Sequence, residues 1–521
     1  MRRVARAMEE GFQAIREGRA EILVPSDGSK VFYNKIQCFN RDLSVLGIRA
    51  WHEMRQAENA SVAKRRRVAK EISILEALSA TGLRANRYAL EIPHVKKIVA
   101  NDMLPEAVTS IQRNIDHNKT GDIVSTNLGD AIKFMASTPQ KFNVVDLDPY
   151  GTASMFVDSA ISCLEDNGLL LVTCTDAGVW AGSGYPEKCF SLYGGNNFGA
   201  AYSLNDTNHE VGLRLVLGMV SNIAARYGKA IEPLASFSID YYLRCFIRVS
   251  HKPVEVKKLA QQTMVSFGCT GCGHKVNQSF GIQQGPHKCG YPKLNEELPG
   301  SNCRFCGGRY TIAGPMWGGP IHSTDYLDKI LEVNREADPE VYHTRSRIEG
   351  MVTLARSELQ DVPFYLNLNT VSSLVKAQPV PMDDFCQAIG NLGYKISLTH
   401  AKRNCVKTTA PWRDVLEVTR QWLTKSNANY AKEHANSEKE SIQNKVKLIT
   451  EDPTCSPNLN EQSPGYKVLQ YLKQQTDLPT VDFTTENDEA KHVHSLRKLK
   501  IVRYQENPEK NWGPMARSDK K

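Results

Sequence analysis

Residues 74–84 read Ile74-Leu75-Glu76-Ala77-Leu78-Ser79-Ala80-Thr81-Gly82-Leu83-Arg84, an apolar run that ends in small residues and glycine just before helix-compatible sequence. A strand that turns through such residues leaves its backbone open to a cofactor at the carboxyl edge of a sheet, because glycine tolerates positive φ and carries no Cβ. Taken alone, the segment reads equally well as a tight packing turn. The flanking pattern decides. Candidate strands at Ile72–Ala77, Lys97–Asn101, Ile123–Thr126, Phe142–Asp146 and Leu169–Thr175 alternate with helical spacing over Arg84–Leu90, Pro105–Asn118 and Gly151–Leu164. Strands separated by helices predict a doubly wound α/β core with a parallel sheet. Ser236–Val249 alternates apolar and polar residues and predicts further strands at an antiparallel edge.

Acidic residues recur where these strands end. Asp102 stands 20 positions after Gly82, just past the second strand, where a carboxylate can accept hydrogen bonds from both ribose hydroxyls of a nucleotide-like cofactor. Asp130, in Gly129-Asp130-Ala131, follows the third strand in the same way. A single acid after a strand is usually a turn or cap; three strand ends that align point to a cofactor edge. The G-x-G-x-x-G fingerprint of nicotinamide enzymes and the G-x-x-x-x-G-K-[ST] phosphate loop are both absent from the chain.

The fourth strand runs into Asp146-Leu147-Asp148-Pro149-Tyr150-Gly151. The conjugated amino group of a nucleobase is a poor nucleophile, and carboxylate and carbonyl acceptors can orient its hydrogens while its lone pair turns toward a methyl donor. Proline fixes the turn and an aromatic ring can stack on the base. Asp148, Pro149 and Tyr150 are therefore the candidate catalytic residues, with Phe39 a second stacking candidate for a base extruded from its helix. A plain β-turn with Asp and Pro in its first two positions is the bland alternative.

Bulk properties set the frame. A chain of 521 residues is long enough for two substantial domains plus extensions, and no run approaches the roughly 18 apolar residues of a membrane span, so a soluble protein with no membrane partner is expected. A formal charge of +8 suits a polyanionic partner. Thirteen cysteines are too dilute for a disulfide scaffold, which points to a reducing intracellular compartment. The opening MRRVARAMEEGFQAIREGRA reads as an ordinary helix, its glutamates arguing against a mitochondrial presequence. The run Lys64-Arg65-Arg66-Arg67 reads as a solvated helix face rather than as a nuclear signal or a phosphate contact.

Beyond Pro253 the composition turns Cys- and Gly-rich. Cys269-x2-Cys272 and Cys303-x2-Cys306 each sit in a glycine knuckle, the arrangement that holds zinc through four thiolates. His287 and Cys289 lie in the long intervening loop as possible substitutes. With no catalytic base beside it, the metal is expected to be structural.

The segment Val31-Phe32-Tyr33-Asn34-Lys35-Ile36-Gln37-Cys38-Phe39-Asn40-Arg41-Asp42-Leu43-Ser44, the Ser79-Ala80-Thr81-Gly82-Leu83-Arg84 turn and Asp148-Pro149-Tyr150-Gly151 together resemble the tRNA (guanine-N2)-dimethyltransferase family. Thr399-His400, Lys407-Thr408-Thr409-Ala410-Pro411 and Asn511-Trp512-Gly513-Pro514 are similar to it as well, with Thr409 standing where the family more often has Asp. The resemblance implies a class I (Rossmann-like) S-adenosylmethionine-dependent methyltransferase domain with a smaller zinc-containing α+β C-terminal domain. It also implies methylation of the N2 of guanosine 26 in tRNA, once or twice. By motif match, Arg41 and Arg84 would contact the donor's methionine portion, Asp102 its ribose, and Asp130 with Ala131 its adenine, while Asp148 would hold the guanine amine. The expected organisation is residues 1–252 for the N-terminal region and methyltransferase domain, 253–424 for the zinc-bearing domain, 425–462 for a polar linker or exposed helix, and 463–521 for a partly helical, basic extension. In that extension Arg497, Lys498, Lys500 and Arg503 are candidate phosphate contacts. Nucleus and mitochondrion are the expected compartments of a eukaryotic member. Two rival readings are a methyltransferase for another base amine in RNA or DNA, and a non-catalytic tRNA-binding or chaperone protein on the same fold.

Overall fold

The computed structural model describes residues 11–26, 33–61, 70–285, 288–298 and 300–502. The run Lys64–Arg67, His287, Arg503 and Asn511–Pro514 lie outside the described residues. The chain is first described as a hairpin of β1 (Phe12–Glu17) and β2 (Ala20–Pro25), followed by helix α1 (Cys38–Ser61). Over 11–20 this corrects the helix expected from sequence. Gly18, at φ +61°, turns the chain where a Cβ would fall 2.2 Å from Glu91, and Ala20, Ile22 and Val24 bury one face against Leu83. The backbone N–H groups of Glu21 and Leu23 donate to the side chains of Asn118 and Asn114, so this hairpin docks through partners no helical periodicity reveals.

Five strands run parallel: β3 (Ile72–Glu76), β4 (Val95–Asp102), β5 (Val124–Leu128), β6 (Phe142–Leu147) and β7 (Leu164–Cys174). The crossovers between them are α2 (Leu83–Glu91), α3 (Pro105–Asn118), α4 (Ala131–Ser137) and α5 (Val157–Cys163). A hairpin of β8 (Lys229–Ile239) and β9 (Tyr242–His251) completes a seven-stranded sheet in the order β5-β4-β3-β6-β7-β9-β8, with β9 antiparallel to β7 and β8 outermost. The α/β core and its antiparallel edge are those expected from sequence. α5 is shorter than the expected helix, because Gly151 takes φ +77° and the chain makes one 3-10 turn over Ser154–Phe156 before α5 begins.

Both faces of the sheet are buried. Ile74, Val144 and Leu169 enter one apolar layer with Phe39, Leu43 and Tyr326, while their neighbours Leu75, Val145 and Leu170 enter the other with Trp180, Val211 and Leu217. This is the period-two consequence of a parallel sheet covered on both sides. The second of these layers runs on into the Cys-rich region through Met264, Ala313, Met316 and Trp317. There Lys275–Ser279, Thr263–Cys269 and Tyr310–Trp317 form a three-stranded antiparallel sheet. A separate core around Phe385, Ile389, Val406, Val415 and Val493 organises the C-terminal part. Residues 425–462 contain the end of helix Trp412–Glu433 and helix Glu440–Glu451, which folds back with Ile449 buried. Arg497, in helix Asp488–Lys498, pairs with Asp383.

Candidate active site and metal centre

In this strand order β3 is flanked by β4 and β6, so the crossovers from its two sides diverge there and open a crevice at the carboxyl ends. The turn after β3 forms one wall. Gly82 takes φ 72° as the N-cap of α2, and Ala80 is also left-handed at φ 50°. Asp102 ties this turn to the end of β4: its carboxylate accepts from the N–H of Ala80 at 2.9 Å and of Leu104 at 3.0 Å. The third strand end joins through Gly129 N–H, which donates to the Asp102 carbonyl at 3.0 Å. Asp130 then caps α4, its Oδ1 accepting from Ile132 at 2.8 Å and Lys133 at 3.2 Å, with Ala131 buried behind it. The three sequence-predicted strand ends thus converge. Met103, Leu104 and Leu128, which follow or end these strands and carry no motif in the sequence, are exposed apolar side chains.

On the other side of the crevice, Asp146 is buried at the end of β6. Arg244 donates to it at 2.8 Å and the Tyr88 hydroxyl at 2.6 Å. Burial alone would raise its carboxyl, but Arg244 and then Arg84 outweigh that and hold it below the ordinary range. Two residues on, Asp148 is only partly buried and faces the crevice, paired with Arg84. Arg84 is itself buried and also donates to Ser44 Oγ at 3.0 Å. Pro149 is buried and Tyr150 is 77% exposed. Phe39 is not available for stacking: it lies buried beneath the Arg347 guanidinium, 4.2 Å from its ring centroid. Glu76, buried at the end of β3, accepts from Ser79 Oγ and the Ala85 N–H, and burial pushes its carboxyl up to about 8.

Arg41 lies apart from this group. Its Nε donates to Glu17 at 2.6 Å and its Nη2 to the Asn34 carbonyl at 2.9 Å. Glu17 also takes Arg87 at 2.9 Å, and Arg87 pairs in turn with Asp42 at 2.7 Å and Glu91 at 2.9 Å. This buried network locks the N-terminal hairpin onto α1 and α2.

The four knuckle cysteines are brought together. Their sulfurs all lie within 4.8 Å of one another, with Cys269–Cys306 at 3.4 Å and Cys272–Cys303 at 3.7 Å. A tetrahedron with Zn–S of about 2.3 Å has edges of about 3.8 Å. The glycines fit the same purpose: a Cβ on Gly271 would sit 3.0 Å from Cys306 Sγ, one on Gly308 3.2 Å from both Cys269 and Cys306 sulfurs, and Gly308 N–H donates to Cys306 Sγ. Cys289 is not in the cluster; it belongs to a separate short hairpin with Gln283. The cysteines share an apolar cluster with Phe305, Leu416, Val468 and Leu472, so the knuckles buttress helices Trp412–Glu433 and Pro464–Lys473.

A second buried group of potential ligands, His322, Glu358 and His400, occupies the junction of the two halves. Most of its ligand atoms are taken by protein partners, Ser236 N–H donating to His322 Nδ1, while His322 Nε2 has no hydrogen-bond partner among the described residues. His400 Nε2 accepts from Ser238 N–H, His400 Nδ1 lies 2.6 Å from Glu358, and Lys407 Nζ sits 3.0 Å from Glu358 and 3.2 Å from Glu210. The cation of this cluster is Lys407.

A doubly wound sheet in this strand order, with acidic residues at successive strand ends and an Asp-Pro-Tyr turn at its switch point, is the arrangement of a class I S-adenosylmethionine-dependent methyltransferase. Residues 11–420 match the family model described as N2,N2-dimethylguanosine tRNA methyltransferase, and the chain belongs to that family. It is 41% identical to the mitochondrial tRNA (guanine(26)-N(2))-dimethyltransferase of Saccharomyces cerevisiae, covering 98% of this chain and 92% of the yeast protein. It is 38% identical to the Schizosaccharomyces pombe enzyme of the same description, over 99% and 94% of the two chains. Against the human enzyme the identity is 32%, over 97% of this chain and 77% of the human protein. Among solved structures, Trm1 from Pyrococcus horikoshii in complex with S-adenosyl-L-methionine shares the fold, with a TM-score of 0.64 at 22% identity, covering 78% of this chain and 99% of that one.

Proposed function

We propose that this chain methylates the exocyclic N2 of guanosine 26 in tRNA, giving N2-methyl- and N2,N2-dimethylguanosine, the reaction for which its relatives are named. The observation that carries the reading is Asp148, partly exposed beside Arg84 on a turn with buried Pro149 and exposed Tyr150, at the end of the strand next to β3. S-adenosylmethionine, when bound, supplies a methyl group on a sulfonium that leaves readily. The Asp102 carboxylate would receive the ribose hydroxyls, exposed Met103, Leu104 and Leu128 would offer apolar surface to the adenine, and Asp130 with Ala131 would close its edge. Arg84 and Arg41 take the methionine end. Arg84 already stands beside Asp148, whereas Arg41 reaches a donor only by exchanging Glu17 for it.

Asp148 accepts a hydrogen bond from the guanine amine and so turns the nitrogen lone pair toward the methyl carbon, while Tyr150 stacks on the extruded base. As the N–C bond forms and the methyl–sulfur bond breaks, the nitrogen gives up that proton to the carboxylate, which passes it to solvent. Transfer of a second methyl requires the same carboxylate to hold the one remaining N–H. No described helix is long and apolar enough to cross a membrane. Nucleus and mitochondrion are the proposed compartments, the latter supported by the name of the yeast relative. Incubating unmodified tRNA with labelled donor and digesting it to nucleosides should show label in N2-methylguanosine first and the dimethyl product later. Label on any other base would sink the proposal.

Zinc is assigned a structural part. Chelation, or Cys303→Ser, is expected to lower the melting temperature by several degrees, because the cluster anchors Leu416, Val468 and Leu472. Donor affinity, measured by calorimetry on the still-folded protein, should change little. A large loss of donor binding with an unchanged melting temperature would assign the metal to the active site instead.

A further inference from the structure

We infer that residues 183–190, beyond the end of β7, form a stacking platform for the nucleotide that neighbours the target guanosine in the RNA strand. The inference rests on the reading of the Asp148 edge as the base-modifying site. The chain that leads into the segment is tied to that edge: Gly151 N–H donates to Thr175 Oγ1 at 2.7 Å and Thr175 N–H to the Gly151 carbonyl at 2.8 Å, stitching the Asp-Pro-Tyr loop to the chain leaving β7.

The base of the segment is pinned. Asn197 Nδ2 donates to the carbonyls of Val179, Trp180 and Gly182, the last at 2.8 Å, and the Tyr193 hydroxyl donates to Asp176 at 2.8 Å. Cys189 and Tyr193 are the buried residues of helix Pro186–Tyr193. From this anchored base the segment turns aromatic rings outward: Tyr185 is 49% exposed and Phe190 54%. Lys188 places its ammonium 4.7 Å from the Tyr185 ring centroid.

The two rings leave apolar surface exposed beside a cation, the composition of a stacking site for a nucleic-acid strand. Aromatic planes beside a lysine match single-stranded RNA, in which an unstacked base needs a π-face and its phosphate a cation. Extruding a target base beside Tyr150 breaks the stacking of the next nucleotide in the strand, and that base requires a new surface. Tyr185 and Phe190 provide it, and Lys188 exchanges the tyrosine ring for the phosphate.

The test uses the full chain with unmodified tRNA, reading steady-state methylation, direct tRNA affinity by anisotropy, donor affinity by calorimetry, and melting temperature. Tyr185→Ala combined with Phe190→Ala should raise KM for tRNA and weaken tRNA affinity roughly tenfold or more. Donor affinity and melting temperature should stay at wild-type values. Tyr185→Phe, which keeps the ring, should behave as wild type, and Lys188→Ala should reduce the salt dependence of tRNA affinity by about one phosphate contact. Wild-type tRNA affinity and KM in the double variant would overturn the inference, as would equal losses from Tyr185→Ala and Tyr185→Phe. Failure of the underlying reading shows separately, as absence of label on guanosine with the wild-type chain, and the anisotropy arm still decides the platform in that case.

Discussion

Asp148→Ala is expected to cut turnover on tRNA by roughly 10²–10⁴-fold while leaving donor affinity unchanged or higher. The asymmetry comes from Arg84. Its guanidinium is shared between Asp148 and the buried pair of Ser44 and Asp146, at 3.0 Å and 3.9 Å. Removing Asp148 leaves Arg84 held in place by those two partners, with one arm released toward the methionine end of the donor. On the proposed donor pose, Asp148 and the donor carboxylate would compete for one guanidinium, and donor binding should free Asp148 to receive the amine. Asp148→Asn keeps an acceptor oxygen and should fall between wild type and alanine. Single-turnover methylation and donor calorimetry on the same preparations check both halves of the expectation. Undiminished turnover would remove Asp148 from the chemistry, and donor binding lost in step with turnover would reduce it to a counter-ion for Arg84.

What the sequence showed of this site follows from how local each signal is. The Gly82 turn, Asp102 and Asp130 were legible because each lies at the end of an apolar run, and strand ends in a parallel sheet fall on one edge. Cys269, Cys272, Cys303 and Cys306 were legible from their paired spacing. The long loop between the pairs left His287 and Cys289 open as substitutes; Cys289 is drawn off by a hairpin of its own. The Asp148 partner Arg84 sits 64 positions away, and Arg244 meets Asp146 across 98, so no local pattern could have linked them.

The N-terminal hairpin shows the opposite failure. Its charged residues at helical intervals read as an amphipathic helix, but Glu17 is buried, where burial would raise its carboxyl and Arg41 and Arg87 hold it lowered. Tertiary partners, not periodicity, set that segment as strand. Arg41 illustrates how a family resemblance can mark a residue without saying what it touches: its nearest partner is Glu17, on the hairpin. Thr399-His400 and Lys407 likewise stood out only as motif matches, and the fold brings them together at the junction of the two halves.

That junction carries the second large effect. Lys407→Met is expected to destabilise the protein by about 3–5 kcal/mol, the usual cost of removing one partner from a buried ion pair. Lys407, Glu210 and Glu358 have almost fully buried side chains. Glu210 comes from helix Asn208–Arg226 and is also held by Arg214 at 2.8 Å, while Glu358 takes the His400 ring and its N–H. Burial works to raise both carboxyls, yet Lys407 is the largest opposing influence on each and holds them lowered, Glu358 well below its ordinary value. Without the ammonium, Glu210 keeps Arg214 while Glu358 keeps only the His400 and His322 side of the cluster, and both carboxyls rise. The sign follows: a carboxyl whose folded pKa is depressed contributes stability above its unfolded value and loses it as pH falls. Wild type should therefore lose stability below about pH 4.5, the ordinary glutamate range, more steeply than Lys407→Met. The gap between the two melting temperatures should narrow on acidification. Adding Glu358→Gln to Lys407→Met removes one uncompensated charge and should recover part of the loss, which a double-mutant cycle in thermal or denaturant unfolding measures directly. Additive losses would show that Lys407 and Glu358 do not interact across the junction, whereas recovery identifies this buried ammonium as the charge that fastens the C-terminal part to the catalytic sheet.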